Sequence, residues 1–266
     1  MNLKTLSLGL ILGSTAGLLV SSAAFAEGID TKRLHPKDEK FSFEGPFGTY
    51  DRGALQRGFQ VYKDVCSTCH AMKHLAYRDL GPNGPSGGIG LSEAEVRALA
   101  SQVQVTDGPN DQGEMFERPG RPSDRFKSPF PNDNAARSAN NGALPKDLSI
   151  IVKARAGEEN YVYSILTGYE EAPAGMTVPS GLNYNPYFPG HFIAMPAPLS
   201  QGSVNYADGT PSSVDQMAQD VTTFLTWASR PEMEERKGLG LRVMAFLVLF
   251  TGLMFAAKRK IWRDVH

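Results

Sequence analysis

The 266 residues carry 27 basic and 28 acidic side chains, for a net charge of −1, but the balance changes once the two ends are set apart. Residues 27–237 hold 21 basic against 27 acidic side chains, net −6, which argues against nucleic acid as a partner and would steer a basic soluble protein toward the surface. This stretch of roughly 210 residues is long enough for one substantial core.

The first 26 residues read as an export signal. Lys4 precedes an apolar stretch from Leu6 to Val20, and small residues close the segment at Ala24-Phe25-Ala26, so cleavage is expected after Ala26. An uncleaved anchor is the alternative, but Ser7, Gly9, Gly13, Ser14, Thr15 and Gly17 interrupt an apolar core that is already short for a span.

Leu55, Phe59 and Tyr62, spaced i, i+4, i+7, predict a helix with one apolar stripe. It runs into Cys66-Ser67-Thr68-Cys69-His70, which contains the only two cysteines of the chain. The pattern C-x-x-C-H is the attachment signature of c-type haem. On a helical turn Cys66 and Cys69 share one face, so both thiols reach the vinyl groups on one porphyrin edge, and His70 is carried over the ring to bind iron. Three other readings compete. A structural zinc site needs a second ligand pair, which His74 and His191 do not form. A plain structural disulfide is disfavoured for a pair so close in sequence. A thioredoxin-like C-x-x-C would follow a strand, whereas a helix precedes this one. The second axial ligand stays open among Met72, His74, Met115, Met176, His191, Met195 and Met217. Met195 stands out because Pro196 and Pro198 hold its segment extended, so that it can offer a thioether at a fixed place.

From Gly81 to Pro145, nine glycines and eight prolines predict irregular structure. Within it, a short helix is expected at Glu93 to Ala100, with Ser92 as N-cap and Glu95 completing a capping box. Phe116, Phe126 and Phe130 give the stretch apolar weight to wrap against a core. Leu148, Ile151, Val152 and Arg155 predict a helix over Asp147 to Ala156 that ends at Gly157, and a second runs from Glu158 to Thr167 and ends at Gly168. A longer one spans Ser213 to Ser229. Its face is Val214, Met217, Ala218, Val221, Phe224, Leu225 and Ala228, with Ser213 and Gln216 as a capping box. Pro231 opens a further helix with Glu232, Glu234 and Glu235 in its first turns. No alternating strand pattern or internal repeat stands out.

That last helix becomes a membrane span. Leu239 to Ala257 contains one charge, Arg242, and as a helix is about 28 Å long. Arg242, Lys258, Arg259 and Lys260 can snorkel to the interfaces, and Trp262 sits at headgroup depth. Basic residues flank both sides equally, so export decides the orientation. The expected organisation is a cleaved signal at 1–26, an exported domain at 27–237, a span at 238–257 and a cytoplasmic tail at 258–266.

Several stretches in one order resemble the cytochrome c1 family. They are Phe43-Glu44-Gly45-Pro46-Phe47-Gly48, Leu55 to Tyr62 running into Cys66 and His70, Ala139-Asn140-Asn141-Gly142-Ala143-Leu144-Pro145, Lys153-Ala154-Arg155-Ala156-Gly157, Tyr161 to Tyr169, and Ile193-Ala194-Met195-Pro196. The resemblance implies a mainly α, cytochrome c-like haem domain with long loop insertions and one C-terminal transmembrane helix. It implies one haem c attached at Cys66 and Cys69, with His70 and Met195 as axial ligands and with Arg155, Tyr161 and Asn140 on the propionate side. It further implies a subunit of a ubiquinol–cytochrome c oxidoreductase, in a dimeric complex with cytochrome b and a Rieske iron–sulfur protein, passing electrons to a soluble cytochrome c. The expected location is the bacterial inner membrane, haem domain on the periplasmic side. Two alternatives from the residues alone are an anchored cytochrome c of another respiratory complex and a membrane-tethered thiol–disulfide oxidoreductase. Some bacterial relatives carry an extra disulfide, which a chain with two cysteines in its attachment motif cannot form.

Overall fold

The computed structural model describes residues 33–264. The expected signal segment lies outside them. The architecture is mainly helical, and two helices distant in sequence form its centre. The first, α1 (Arg52–Asp64), starts where the Asp51 carboxylate accepts hydrogen bonds from the backbone N–H groups of Gly53, 2.8 Å, and Ala54, 3.3 Å. It buries Leu55, Phe59 and Tyr62, the expected stripe.

The Gly81–Pro145 stretch is less irregular than its glycines and prolines suggest. The short helix α2 (Glu93–Ser101) forms with the expected capping box between Ser92 and Glu95. It is followed by an antiparallel hairpin of β1 (Gln104–Asp107) and β2 (Phe116–Pro119), and then by α3 (Asp133–Ala139). The hairpin strands are four residues each and largely solvent-facing, so they carry little apolar alternation that a sequence pattern could reveal. Of the three phenylalanines, Phe126 is buried, Phe130 is half-buried and Phe116 is exposed. The wrapping therefore rests on Phe126, whose ring lies 6.0 Å from that of Tyr62 and 4.8 Å from that of Tyr77.

The helix expected over Asp147–Ala156 does not form; the segment is a series of turns. The Asp147 carboxylate accepts from the backbone N–H groups of Lys73, 3.0 Å, and Ser149, 2.8 Å, which ties the start of these turns to the loop after His70. The following helix, α4 (Glu158–Thr167), matches its expected bounds and starts at Gly157 with φ +90°, a left-handed conformation that suits glycine. A small antiparallel pair, β3 (Asn183–Tyr184) and β4 (Phe192–Ile193), precedes the Met195 segment.

Helix α5 (Val214–Ser229) is capped by Ser213, whose hydroxyl accepts from the Gln216 N–H at 3.1 Å. The reciprocal half of the expected box is absent, because the Gln216 amide donates to Asp220 instead, 3.1 Å. Asp220, only 1% exposed, forms two hydrogen bonds with the Arg57 guanidinium, at 3.0 and 3.1 Å. This fork ties α5 to α1, and Arg57 also reaches Asp208 at 2.8 Å. Replacing Asp220 with Asn keeps the shape and removes the charge. The expected cost is about 2 kcal/mol, the scale of a hydrogen bond to a charged group, read as a lowered unfolding midpoint in denaturant.

The α1–α5 crossing packs Leu55, Phe59 and Tyr62 against Met217, Val221 and Phe224, and α4 adds Val162 and Tyr163 to the same core. The last helix, α6 (Met233–Trp262), begins two residues after Pro231, which with Glu232 occupies a turn. Its 30 residues span about 45 Å and contain the expected 238–257 stretch. From Gly238 onward its described side chains are exposed on every face, as a candidate membrane span requires. Its first turns are clamped to the domain. Glu234 accepts from the Tyr50 N–H, 2.7 Å, and from Arg52, 2.6 Å, while the Lys237 ammonium donates to the carbonyls of Phe43, 2.6 Å, and Gly48, 2.9 Å.

Candidate cofactor-attachment site

The end of α1 builds the first half of the site. After Val65 the chain tightens into a single 3₁₀ turn at Cys66–Thr68, closed by the Cys69 N–H, 3.2 Å, and the His70 N–H, 2.8 Å, both donating to the Cys66 carbonyl. The two residues between the cysteines stabilise this ending. Ser67 Oγ donates to the Lys63 carbonyl and Thr68 Oγ1 to the Val65 carbonyl, both at 2.7 Å, so hydroxyls satisfy carbonyls near the helix terminus. Cys66 and Cys69 are free thiols, and Cys66 packs on the main core.

His70 is oriented by a group that no sequence pattern marks. Its Nδ1 lies 2.7 Å from the carbonyl oxygen of Lys146. A carbonyl only accepts, so Nδ1 carries the hydrogen and Nε2 of the neutral ring carries the lone pair. Burial holds the imidazole below its ordinary pKa, which favours that neutral form. Lys146 is itself held in place, because the segment after it is laced to the loop that follows His70. The Leu148 N–H donates to the Ala71 carbonyl, 2.8 Å, and the His74 N–H to Ser149 Oγ, 3.1 Å. The turns that replaced the expected helix are thus the support of the histidine.

The second half gathers on α4. Tyr161 and Ile165 form a small apolar cluster with Ile193, against which Met195, Tyr169, Tyr187 and Phe188 pack. The Met195 carbonyl accepts from the Tyr169 hydroxyl, 3.0 Å, and from the Asn183 amide, 3.3 Å, so the backbone that presents the thioether is pinned. Burial pushes the Tyr161 phenol above its ordinary pKa, while the positive charges of Arg155 and Arg33 pull it back. Arg155 and Tyr161 are therefore neighbours, and Met195 shares the tyrosine's cluster. Asn140 is half-buried and caps α3, its amide donating to the Ala136 carbonyl at 2.7 Å, which leaves the second amide hydrogen for another acceptor.

The Cys66–His70 turn and Met195 belong to different apolar clusters, and α4 contributes to both. Val162, Tyr163 and Leu166 pack with the main core, Tyr161 and Ile165 with the small one. Helix α4 thus links the packing beside the attachment turn to the packing around Met195. The other candidates for the second axial ligand lie outside that small cluster. Met72 and Met217 are fully buried in the main core, and Met217 Sδ accepts from Ser203 Oγ at 3.4 Å. Met115 is 61% exposed on the hairpin and His74 faces solvent. Met176 sits half-buried in a separate turn, and His191 is buried 5.8 Å from the Tyr184 ring.

The environment of Cys66 runs against thiol–disulfide exchange. A nucleophilic cysteine needs a depressed pKa, commonly from a helix N-terminus. Cys66 lies beyond a helix C-terminus, and burial pushes its thiol up to about 12. Sequence reasoning missed Lys146, Tyr169 and Asn183. All three act on or through backbone carbonyls, and each contact forms only through folding that brings distant residues together.

The model of the Cytochrome C1 family matches residues 41–265. A cytochrome c1 from Rhodospirillum rubrum is 47% identical over 248 residues, covering 87% of this chain and 88% of that protein. A potato (Solanum tuberosum) protein described as cytochrome c1-2, heme protein, mitochondrial, is 52% identical over 205 residues, covering 77% and 76%. A cytochrome b/c1 from Bradyrhizobium diazoefficiens is 48% identical over 273 residues; these cover 94% of this chain but 39% of that longer protein. A match across most of the chain at about half identity, on a helical domain with a C-terminal apolar helix and a C-x-x-C-H turn, places this chain in the cytochrome c1 family.

Proposed function

We propose that this chain carries one covalently bound haem c and works as the electron-transferring subunit of a ubiquinol–cytochrome c oxidoreductase. The observation that carries the reading is the His70 ring, held through Nδ1 by the Lys146 carbonyl and so presenting Nε2, one residue from Cys69 and four from Cys66. Bound haem supplies an iron that cycles between two oxidation states one electron apart.

The residues do the rest. Cys66 and Cys69 would anchor the group, His70 and Met195 would ligate its iron, and Arg155 and Tyr161 would meet its carboxylates, with Asn140 on the same side. A guanidinium and a phenol are suited to pair with carboxylates. The Met195 thioether favours the reduced metal and so raises the potential. That suits a donor such as the Rieske iron–sulfur protein, whose histidine ligands already raise its own potential. The net charge of −6 over residues 27–237 would speed the arrival of a basic soluble cytochrome c at low salt. No side chain breaks bonds in this scheme, so the enzyme is the complex with cytochrome b, expected as a dimer.

The same reading makes residues 238–257 a single span of the bacterial inner membrane, with 27–237 in the periplasm after removal of 1–26 and 258–266 in the cytoplasm. A denaturing gel of membranes stained for haem peroxidase activity is expected to show colour at the mass of the polypeptide. Pigment that acid–acetone strips away, leaving a colourless chain with two alkylatable thiols, would overturn the proposal.

A further inference from the structure

The segment 33–41 runs extended along α4 and is fixed at successive points. The Leu34 N–H donates to the Pro186 carbonyl, 2.9 Å, the Lys37 N–H to Ser164 Oγ, 2.8 Å, and the Glu39 N–H to Asn160 Oδ1, 3.1 Å. The Lys37 ammonium donates to Thr167 Oγ1, 2.8 Å, and lies over the rings of Tyr163 and Tyr187, 5.8 and 5.7 Å from their centroids. The strap thus joins α4, which carries Tyr161, to the loop that leads to Met195. The backbone that carries Arg33 is held, since the adjacent Leu34 is hydrogen-bonded and Pro36 sits against Gly157. Its guanidinium carbon lies 6.0 Å from the centroid of the Tyr161 ring.

We propose that Arg33 is a second cation of the site, which joins Arg155 in holding the carboxylates of the bound cofactor beside Tyr161; the inference rests on the haem reading above. Two carboxylates exceed what one guanidinium can match bidentately, and one nitrogen of Arg155 already donates to the Ala154 carbonyl at 2.9 Å. A cation there favours the reduced state, which is one unit more negative than the oxidised state. Arg33 is exposed, so its effect is modest and screened by salt.

The test is a spectroelectrochemical titration of the full chain carrying Arg33→Gln, Arg33→Lys or Arg155→Gln, at low and high ionic strength. Arg33→Gln is expected to cut the reduced-to-oxidised ratio at a fixed applied potential about two- to threefold at low salt, with the difference closing near ~1 M salt. Arg33→Lys should recover most of it, and the sulfur-to-iron charge-transfer absorption of the oxidised form should be unchanged. An unaltered ratio for Arg33→Gln at low salt, beside a clear fall for Arg155→Gln, overturns the role of Arg33 and leaves the haem reading standing. A fall that persists at high salt and comes with loss of the charge-transfer band also overturns it, by showing that the strap acts only through packing. A chain with no covalent pigment sinks both.

Discussion

Met195→Leu is expected to leave the covalent haem in place and to lower its reduction potential by roughly 0.2–0.3 V, a substantial part of the about 0.8 V that axial ligation spans. Leucine is close to methionine in volume, so the cluster of Tyr161, Ile165 and Ile193 keeps its packing and the change in stability stays below about 1.5 kcal/mol. What disappears is the thioether, and with it the preference for the reduced metal. The Tyr169 and Asn183 bonds to the residue 195 carbonyl do not depend on the side chain, so the loop is expected to hold its path. Redox titration and the loss of the sulfur-to-iron band read the effect directly. Met176→Leu and Met115→Leu serve as controls, the first in a separate turn and the second on an exposed hairpin. An unchanged potential in Met195→Leu, or an equal fall in either control, would remove Met195 from the iron.

The elements legible in the sequence are those whose signals are local. The stripe of Leu55, Phe59 and Tyr62, the Ser92–Glu95 box and the apolar face of α5 each reside in one helix, where period and cap reinforce one another. Two local signals did not lead to the structure they suggest. Asp147 opens a run of turns and not a helix, and the backbone of Lys73, 74 residues earlier, donates to its carboxylate. Gln216 looks like half of a capping box until Asp220 and Arg57 recruit its amide into their network. The two short sheets fell below the length at which alternation can be read.

The candidate site divides in the same way. Cys66, Cys69 and His70 are legible because the chemistry of attachment fixes their spacing. Met195 stood out locally for its prolines, but its packing with Tyr161 depends on α4 and on the segment after β4 meeting in space. The Lys146 carbonyl was invisible for a more basic reason, since every residue has a carbonyl and only the fold decides which one faces His70.

Gly58→Ala is expected to destabilise the domain by about 3 kcal/mol or more, at the upper end for overpacked core sites. A methyl group at this position would lie 2.0 Å from the Asp220 carbonyl oxygen and 2.8 Å from Phe224 Cβ. Neither obstacle is the free end of a flexible chain, so relief requires α1 and α5 to move apart. That movement strains the Arg57–Asp220 fork and opens the Phe59–Phe224 contact, whose ring centroids are 5.6 Å apart. It also shifts the C-terminal end of α1, from which the Cys66–His70 turn hangs, relative to the Lys146 carbonyl. The damage should therefore appear twice, as a lower unfolding midpoint in denaturant and as a smaller yield of covalent haem per polypeptide. Gly53→Ala is the comparison. It replaces a glycine in the first turn of the same helix, where the nearest neighbours of a methyl group are side-chain atoms of Asp51 and Arg57 at 3.2 and 3.4 Å, and it should leave both readouts close to the parent chain. If Gly58→Ala matches Gly53→Ala in midpoint and haem yield, the close approach of the two helices is not what holds the attachment turn in place.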